Sequence, residues 1–432
     1  MDKIGVISLG CSKNRIDTEI MLDLLKSSGF KFVNDPAEAE ILIVNTCGFI
    51  DAAKEESIEN ILEMAGYKTS GKCRLLAVTG CLSQRYPEEL KESLPEVDLF
   101  YGVRDYEQLA RRLAELCGKP IPHASGCGRV LTTPSFRAYL RIADGCDNRC
   151  TYCAIPIIRG GRKSVPMDRL LSEARLLAQG GVKELTVVAQ DTTSYGVDIY
   201  GRPMIKDLLN ELSRIDGFVW IRLMYAYPST VTEELIDSII SNDKILNYMD
   251  IPIQHINQEV LRRMNRHGSR EHIEHMVKYI RKAEPEFILR TTAMVGFPGE
   301  SEDQFKELLN FFCENPFNRV GAFAYSAEDG TIAAEYTDQV DESVKHRRLK
   351  SLYSAQQKLS LEFNRRRIGK TERVLVEYID SGLAYCRSYA ESPELDGYII
   401  VKDTGAALRA GDFAEVVLRS AEEYDIWGEL TR

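Results

Sequence analysis

A chain of 432 residues, 44% hydrophobic and 28% charged, has the balance of an ordinary globular protein and the length of about three domains. No apolar run approaches the roughly 18 residues needed to cross a bilayer. Met1-Asp2-Lys3-Ile4-Gly5 lacks the basic and apolar regions of a secretory signal, so a cytoplasmic protein with no membrane partner is expected. The net charge of −10 weighs against nonspecific attraction to a phosphate backbone, and eleven cysteines in a reducing compartment point to metal rather than disulfides.

Taken in chain order, residues 1–118 alternate short apolar runs with amphipathic stretches. Strands are predicted at residues 4–9, 41–44 and 75–78, with helices over 17–27 and near 52–64. Short, fully apolar strands separated by helices imply an α/β unit with a doubly wound parallel sheet, covered on both faces. Each strand runs into a cysteine, at Gly10-Cys11, Thr46-Cys47 and Gly80-Cys81. Open α/β sheets bind ligands beyond the carboxyl ends of their strands, so three cysteines about 35 residues apart converge on one edge. A free cysteine also packs as a small hydrophobe, but the same position occupied three times favours a shared metal.

Residues 119–135, with Pro120, Pro122, Ser125, Gly126, Gly128 and Pro134, read as a linker. Strands are predicted next at 139–142, 185–189, 219–224, 248–251, 288–295 and 320–325, with helices at 167–178, 232–240 and 301–312. Six β/α units match a partial parallel barrel, with its active site at the carboxyl ends of the strands. The loop after the first strand reads Cys146-Asp147-Asn148-Arg149-Cys150-Thr151-Tyr152-Cys153. Three such thiolates hold three irons of a cubane cluster, which normally takes four protein ligands, so one iron is left open to a small molecule. Zinc is the rival metal for both trios, but tetrahedral zinc usually closes with four ligands.

A long helix at 341–367 carries Lys345, Arg347, Arg348, Lys350, Lys358 and Arg365-Arg366-Arg367. It reads as a solvated face with positive charge toward the C-terminus, where the helix dipole favours it; an RNA contact is the less favoured reading. Residues 371–432 hold five short predicted strands, at 374–378, 384–389, 398–401, 414–418 and 424–427. Turns at Ser381-Gly382, Asp396-Gly397 and Ala410-Gly411 make this a small β-barrel.

The cysteine triad, the following Ala154-Ile155-Pro156 and the six β/α units resemble the radical S-adenosylmethionine (SAM) superfamily. The opening Ser8-Leu9-Gly10-Cys11-Ser12-Lys13-Asn14, Cys47, Cys81 and the terminal barrel, which in that group is of the TRAM type, narrow the resemblance to methylthiotransferases. Ala189-Gln190-Asp191-Thr192-Thr193-Ser194-Tyr195-Gly196 and Glu391-Ser392-Pro393-Glu394-Leu395-Asp396-Gly397 look like the RimO type. The resemblance implies an N-terminal domain over 1–118 that binds an auxiliary cluster, a radical SAM core over 132–363 and a TRAM-type barrel over 366–432.

It also implies two 4Fe–4S clusters, one on Cys146, Cys150 and Cys153 and one on Cys11, Cys47 and Cys81. SAM would bind the first and be cleaved by an electron from a reductant such as flavodoxin or ferredoxin. The resulting 5′-deoxyadenosyl radical would take a hydrogen from the β-carbon of an aspartate in protein twelve of the small ribosomal subunit. Sulfur would come from the second cluster and the methyl group from a second SAM. The sister MiaB type instead modifies an isopentenylated adenosine of tRNA, and a redox scaffold that never cleaves SAM is the non-enzyme alternative.

Charge bears on that choice. Residues 371–432 hold six basic and thirteen acidic residues, a net −7, which repels RNA and suits a basic ribosomal protein.

The superfamily's usual Gly-Gly-Glu stands here as Ala189-Gln190-Asp191, which makes Gln190 a candidate for the SAM amino group. Tyr152 is expected against the adenine or as a structural ring. Gly296 and Gly299 are expected where the cofactor approaches closely or at a plain turn. Arg159 and Arg162 are expected on a carboxylate of substrate or SAM, or solvated. His255 lies at a strand end and is given no catalytic role. Cys73, Cys117, Cys127, Cys313 and Cys386 read as structural.

Overall fold

Three strands form where apolar runs precede the first three cysteines: Lys3–Ser8, Ile41–Thr46 and Leu75–Gly80. The computed structural model, which describes residues 2–123, 128–315, 317–402 and 408–431, adds two edge strands, Lys31–Phe32 and Leu99–Phe100. Two residues each, these are too short to leave a pattern in the sequence. The five strands are parallel, and their order reverses between Lys3–Ser8 and Ile41–Thr46. Such a reversal is where doubly wound sheets open a crevice at their carboxyl ends. Every residue of Ile41–Thr46 and Leu75–Gly80 is buried. Separate apolar cores lie on the two faces, one containing Met21, Leu25 and Leu113, the other Ile61 and Met64.

The second sheet is parallel and six-stranded, in the order Arg319–Ala324, Ile288–Val295, Ile245–Asp250, Trp220–Leu223, Glu184–Val188, Arg137–Arg141. Its ends do not meet, so the barrel is partial. Strand side chains alternate between faces. Ala138, Leu140, Leu185, Val187, Ile221, Leu223 and Leu289 pack outward against helices that include Met167–Gln179, Glu233–Ile240, Arg270–Ala283 and Glu302–Glu314. Side-chain caps set helix starts: Thr232 accepts from Leu235 N–H, and Ser301 forms a reciprocal capping box with Gln304.

The last five strands, Thr371–Asp380, Leu383–Arg387, Ile399–Lys402, Phe413–Ala421 and Ile426–Leu430, close a small barrel around Val374, Val376, Val401 and Leu418. The segment 388–396 leaves this barrel and fills the concave face of the six-stranded sheet. Ala390 packs in one apolar cluster with Tyr139, Trp220, Tyr248 and Ile288. Inward-facing charges are matched in a shared network. Arg319 and Arg367 hold Glu391 at 3.1 and 2.5 Å, Arg222 and Arg387 hold Glu184, Arg137 bridges Glu377 and Glu394, and Tyr248 donates to Asp396 at 2.8 Å.

Two charge readings change as a result. Glu372, Glu377, Glu391, Glu394 and Asp396 are engaged within the molecule, so the terminal barrel presents a smaller acidic surplus to solvent than its composition indicates. The helix Glu342–Arg367 is not merely solvated: Lys345, Arg348 and Arg367 are buried, and Arg348 pairs with Glu300 at 2.9 Å. In the 119–135 segment, Arg129 is buried between Glu19 and Glu173, at 3.0 and 3.1 Å. Ser125, Gly126 and Cys127 lie outside the described residues. No helix among the described residues is long and apolar enough to cross a membrane.

Candidate active site

Cys11 caps the helix Ser12–Ser27, Cys47 follows Ile41–Thr46, and Cys81 opens the helix Cys81–Arg85. Local chemistry gathers them. Asn14 donates to the carbonyls of Leu9 and Thr46 at 2.8 and 3.2 Å, tying the loops that carry Cys11 and Cys47. Gly10 has φ +83°, and a Cβ there would fall 2.9 Å from Cys47 Cβ, so only glycine lets the two loops close. Ser57 latches Cys47, accepting from its N–H at 3.0 Å and donating to its carbonyl at 2.8 Å.

The three thiols lie close enough to feel one another's charge. Burial raises the Cys47 thiol, and a Cys11 thiolate raises it further. Burial pushes Cys81 up to about 12 against the pull of Arg159, with Cys11 and Cys47 adding to the rise. Cys11 is the exposed member of the trio; its close-packed surroundings oppose ionisation, but Lys13, the Asn14 N–H and Arg159 outweigh them and bring the thiol below its ordinary value.

The second trio sits in the loop after Arg137–Arg141. Gly145 has φ +73° and passes so close to the Gly160 and Gly161 carbonyls that no side chain fits. Cys146 N–H donates to Gly160 at 3.1 Å, and Cys153 N–H to Cys150 at 3.0 Å. Thr151 anchors the loop from below, donating to the Met264 and Arg263 carbonyls. Burial raises Cys146 and pushes Cys153 up to about 12, with Cys150 adding to both. Arg266 reaches Cys150 Sγ at 3.8 Å and stacks 4.4 Å from the Tyr227 ring centroid.

The loops that carry the two trios meet at Arg159, only 2% exposed. It donates to Asp17 at 2.9 Å, to Asp144 beside the second trio at 3.1 Å, and to Cys81 Sγ at 3.6 Å. Cys81 itself packs against Ala154 and Ile158 of the second loop. Arg159 is therefore neither solvated nor free for a ligand. Its burial between two acids decides its role, and nothing local in the sequence announces those partners. Arg162 points to Asp191 at 3.4 Å.

Among the described residues no three His, Cys, Asp or Glu side chains converge on a single metal ion. A cubane asks less, because each thiolate binds a separate corner iron, and two neighbouring sets of three thiols suit that group. An acceptor for an ammonium is present too: Gln190 donates to Asp144 at 3.2 Å, while its buried Oε1 has no hydrogen-bond partner. Tyr152 takes a hydrogen bond from Arg266 at 3.2 Å and meets Phe297 edge-on at 6.5 Å. Gly296 and Gly299, at φ +71° and +78°, admit Lys345 and the Arg263–Asp338 pair, which accounts for glycine at both. His255 is buried against Glu300 at 3.3 Å. Cys73 and Cys386 are buried, Cys117 is half-buried, and Cys313 is exposed rather than packed.

Family models match three stretches: the Uncharacterized protein family UPF0004 at residues 3–102, the Radical SAM superfamily at 140–312 and the TRAM domain at 368–431. The ribosomal protein uS12 methylthiotransferase RimO of Thermoanaerobacter sp. (strain X514) is 47% identical over 438 residues, covering 99% of this chain and 100% of that protein. This chain belongs to the RimO family. Another RimO, from Clostridioides difficile (strain 630), is 45% identical and covers 100% of this chain and 99% of its own length. Among solved structures, the radical SAM methyltransferase TsrM from Kitasatospora setae, with tryptophan substrate and a SAM analog bound, superposes with a TM-score of 0.55. It is 14% identical and covers 92% of this chain and 85% of its own. At that identity the likeness is one of fold.

Proposed function

We propose that this chain is a radical SAM methylthiotransferase acting on ribosomal protein uS12, at the β-carbon of an aspartate. The observation that carries this reading is the meeting, at Arg159, of the two loops that bear the cysteine trios, at the carboxyl ends of the barrel strands, in a chain similar to RimO over its whole length. Cys146, Cys150 and Cys153 hold one 4Fe–4S cluster, and Cys11, Cys47 and Cys81 hold the other. With SAM, these groups supply the one-electron chemistry and the sulfur, which no protein side chain provides.

The rest is the work of this chain's own residues. Gln190 Oε1 accepts from the SAM ammonium, a role its unmatched buried oxygen fits. Arg159 fixes the two loops relative to each other and lays positive charge against Cys81. Arg266 and Tyr227 wall one side of Cys150. The segment 388–396 closes the barrel interior and keeps water out of the site. Exposed Glu415, Glu422 and Glu423 on the terminal barrel offer the basic substrate a docking face. The reaction runs in the reducing cytosol with an electron donor of the flavodoxin or ferredoxin type.

The test is anaerobic incubation of the reconstituted enzyme with uS12, tRNA, SAM, sulfide and reductant. Mass spectrometry is expected to find one methylthio group added to an aspartate of uS12. Unmodified uS12 beside methylthiolated tRNA would reverse the assignment.

A further inference from the structure

The first turn of the helix Ser12–Ser27 plants a buried cation whose charge favours the Cys11 thiolate but which makes no ion pair with a carboxylate. Lys13 is only 8% exposed, two residues beyond the ligand Cys11. Its carbonyl accepts from Arg141, at the end of the first barrel strand, at 3.4 Å. Its ammonium lies 3.5 Å from the ring centroid of Tyr225, in the loop that follows Trp220–Leu223. Tyr225 is held at φ +60°, and Ala226 N–H beside it donates to the Asp250 carbonyl at 2.8 Å, at the end of a neighbouring strand. Lys13 therefore stands over the mouth of the barrel, between the auxiliary trio and the strand ends.

Burying an ammonium without an anion is costly, and a ring face offsets that by only about 0.5–2 kcal/mol. Among the described residues Lys13 has no carboxylate within ion-pair distance. Asp250, whose charge reaches it, is paired through one oxygen to Arg290 at 3.0 Å, and its other oxygen makes no hydrogen bond to Lys13. A buried cation with no ion-pair partner at the carboxyl ends of the barrel strands is a site for an anion that arrives with the substrate. The group attacked on an aspartate is the carbon next to its carboxylate, so a cation gripping that carboxylate sets the position of the reacting carbon.

We infer that Lys13 binds the side-chain carboxylate of the target aspartate, and so selects aspartate and orients its β-carbon toward the two cysteine trios. This rests on the proposed reaction with uS12. The test measures binding of uS12, and of a form with asparagine at the target position, to the cluster-loaded enzyme by fluorescence anisotropy, using wild type, Lys13→Met and Lys13→Arg. Wild type is expected to prefer the aspartate form by roughly 10- to 100-fold, the worth of one charge-assisted hydrogen bond. Lys13→Met is expected to erase the preference and Lys13→Arg to keep most of it.

Equal binding of the two forms by wild type would overturn the inference, and it remains decisive if Lys13→Met loses its clusters. Equal weakening of both forms in Lys13→Met would make the cation a counter-charge to the auxiliary trio, and a fall in SAM affinity instead would assign it to the cofactor; either overturns the proposal. Failure of the wild type to methylthiolate uS12 at all would sink the functional reading itself, and is seen before any variant is made.

Discussion

Arg159 joins parts of the chain that share no local pattern, since Asp17 is 142 residues away and Cys81 is 78. Replacing it with methionine leaves Asp17 and Asp144 with less compensation in a buried setting. The expected cost is about 3–5 kcal/mol, read as a lower thermal midpoint of the metal-free protein. The same variant removes a positive charge from beside Cys81, so the potential of the auxiliary cluster is expected to fall, as followed by electron paramagnetic resonance during a redox titration. Thiols give a second expectation. Burial pushes Cys81 and Cys153 up to about 12, whereas the unfolded chain releases those protons near 9.0. Their contribution to the stability of the metal-free fold is complete below about pH 9 and is lost as pH rises toward 12, so urea midpoints at pH 8 and pH 10 should differ in that direction. The placing of the six cysteines in two groups was legible because their positions repeat at strand ends or crowd one loop. Arg159 was not, because a buried arginine and a solvated loop arginine look alike until the distant acids are placed.

At the scale of elements, the decisive piece is the irregular segment 388–396. Burial works against the Glu391 carboxylate, but Arg367 and Arg319 overcome it and bring its pKa to about 2; Glu184 is brought to about 2 in the same way by Arg387 and Arg222. Both carboxylates are depressed from 4.5, so the stability they lend is full above about pH 4.5 and is lost as pH falls toward 2. Near-ultraviolet circular dichroism during acid titration should report that loss. Glu391→Ala strands the buried Arg319 guanidinium and leaves Arg367 with Glu372 alone, and is expected to cost about 3–5 kcal/mol, with faster amide exchange in Leu383–Arg387 and in the barrel strands it faces. The strands themselves were readable as short apolar runs and fell within a few residues of their predicted bounds. The docking of 388–396 was not, because its Glu, Ser and Pro composition is that of an exposed turn. Only the facing arginines make it an interior piece.

Across the whole molecule the three blocks interlock rather than sit in a row. The first helix, Ser12–Ser27, sends Arg15 to Glu394, Ile16 into the cluster around Trp220, and Asp17 to Arg141 and Arg159. Removing residues 368–432 would uncover Trp220, Tyr248 and Ile288 together with Glu184 and Arg319. The shortened protein is expected to bind a hydrophobic dye and to lose its sharp thermal transition, whereas independent blocks would leave that transition intact. Segment 388–396 has one more consequence. It turns the half-barrel into a cul-de-sac whose doorway lies at the cysteine loops. A polypeptide cannot be threaded through it end-on; the residue to be altered must be offered on the bent tip of a loop, and must back out by the way it came.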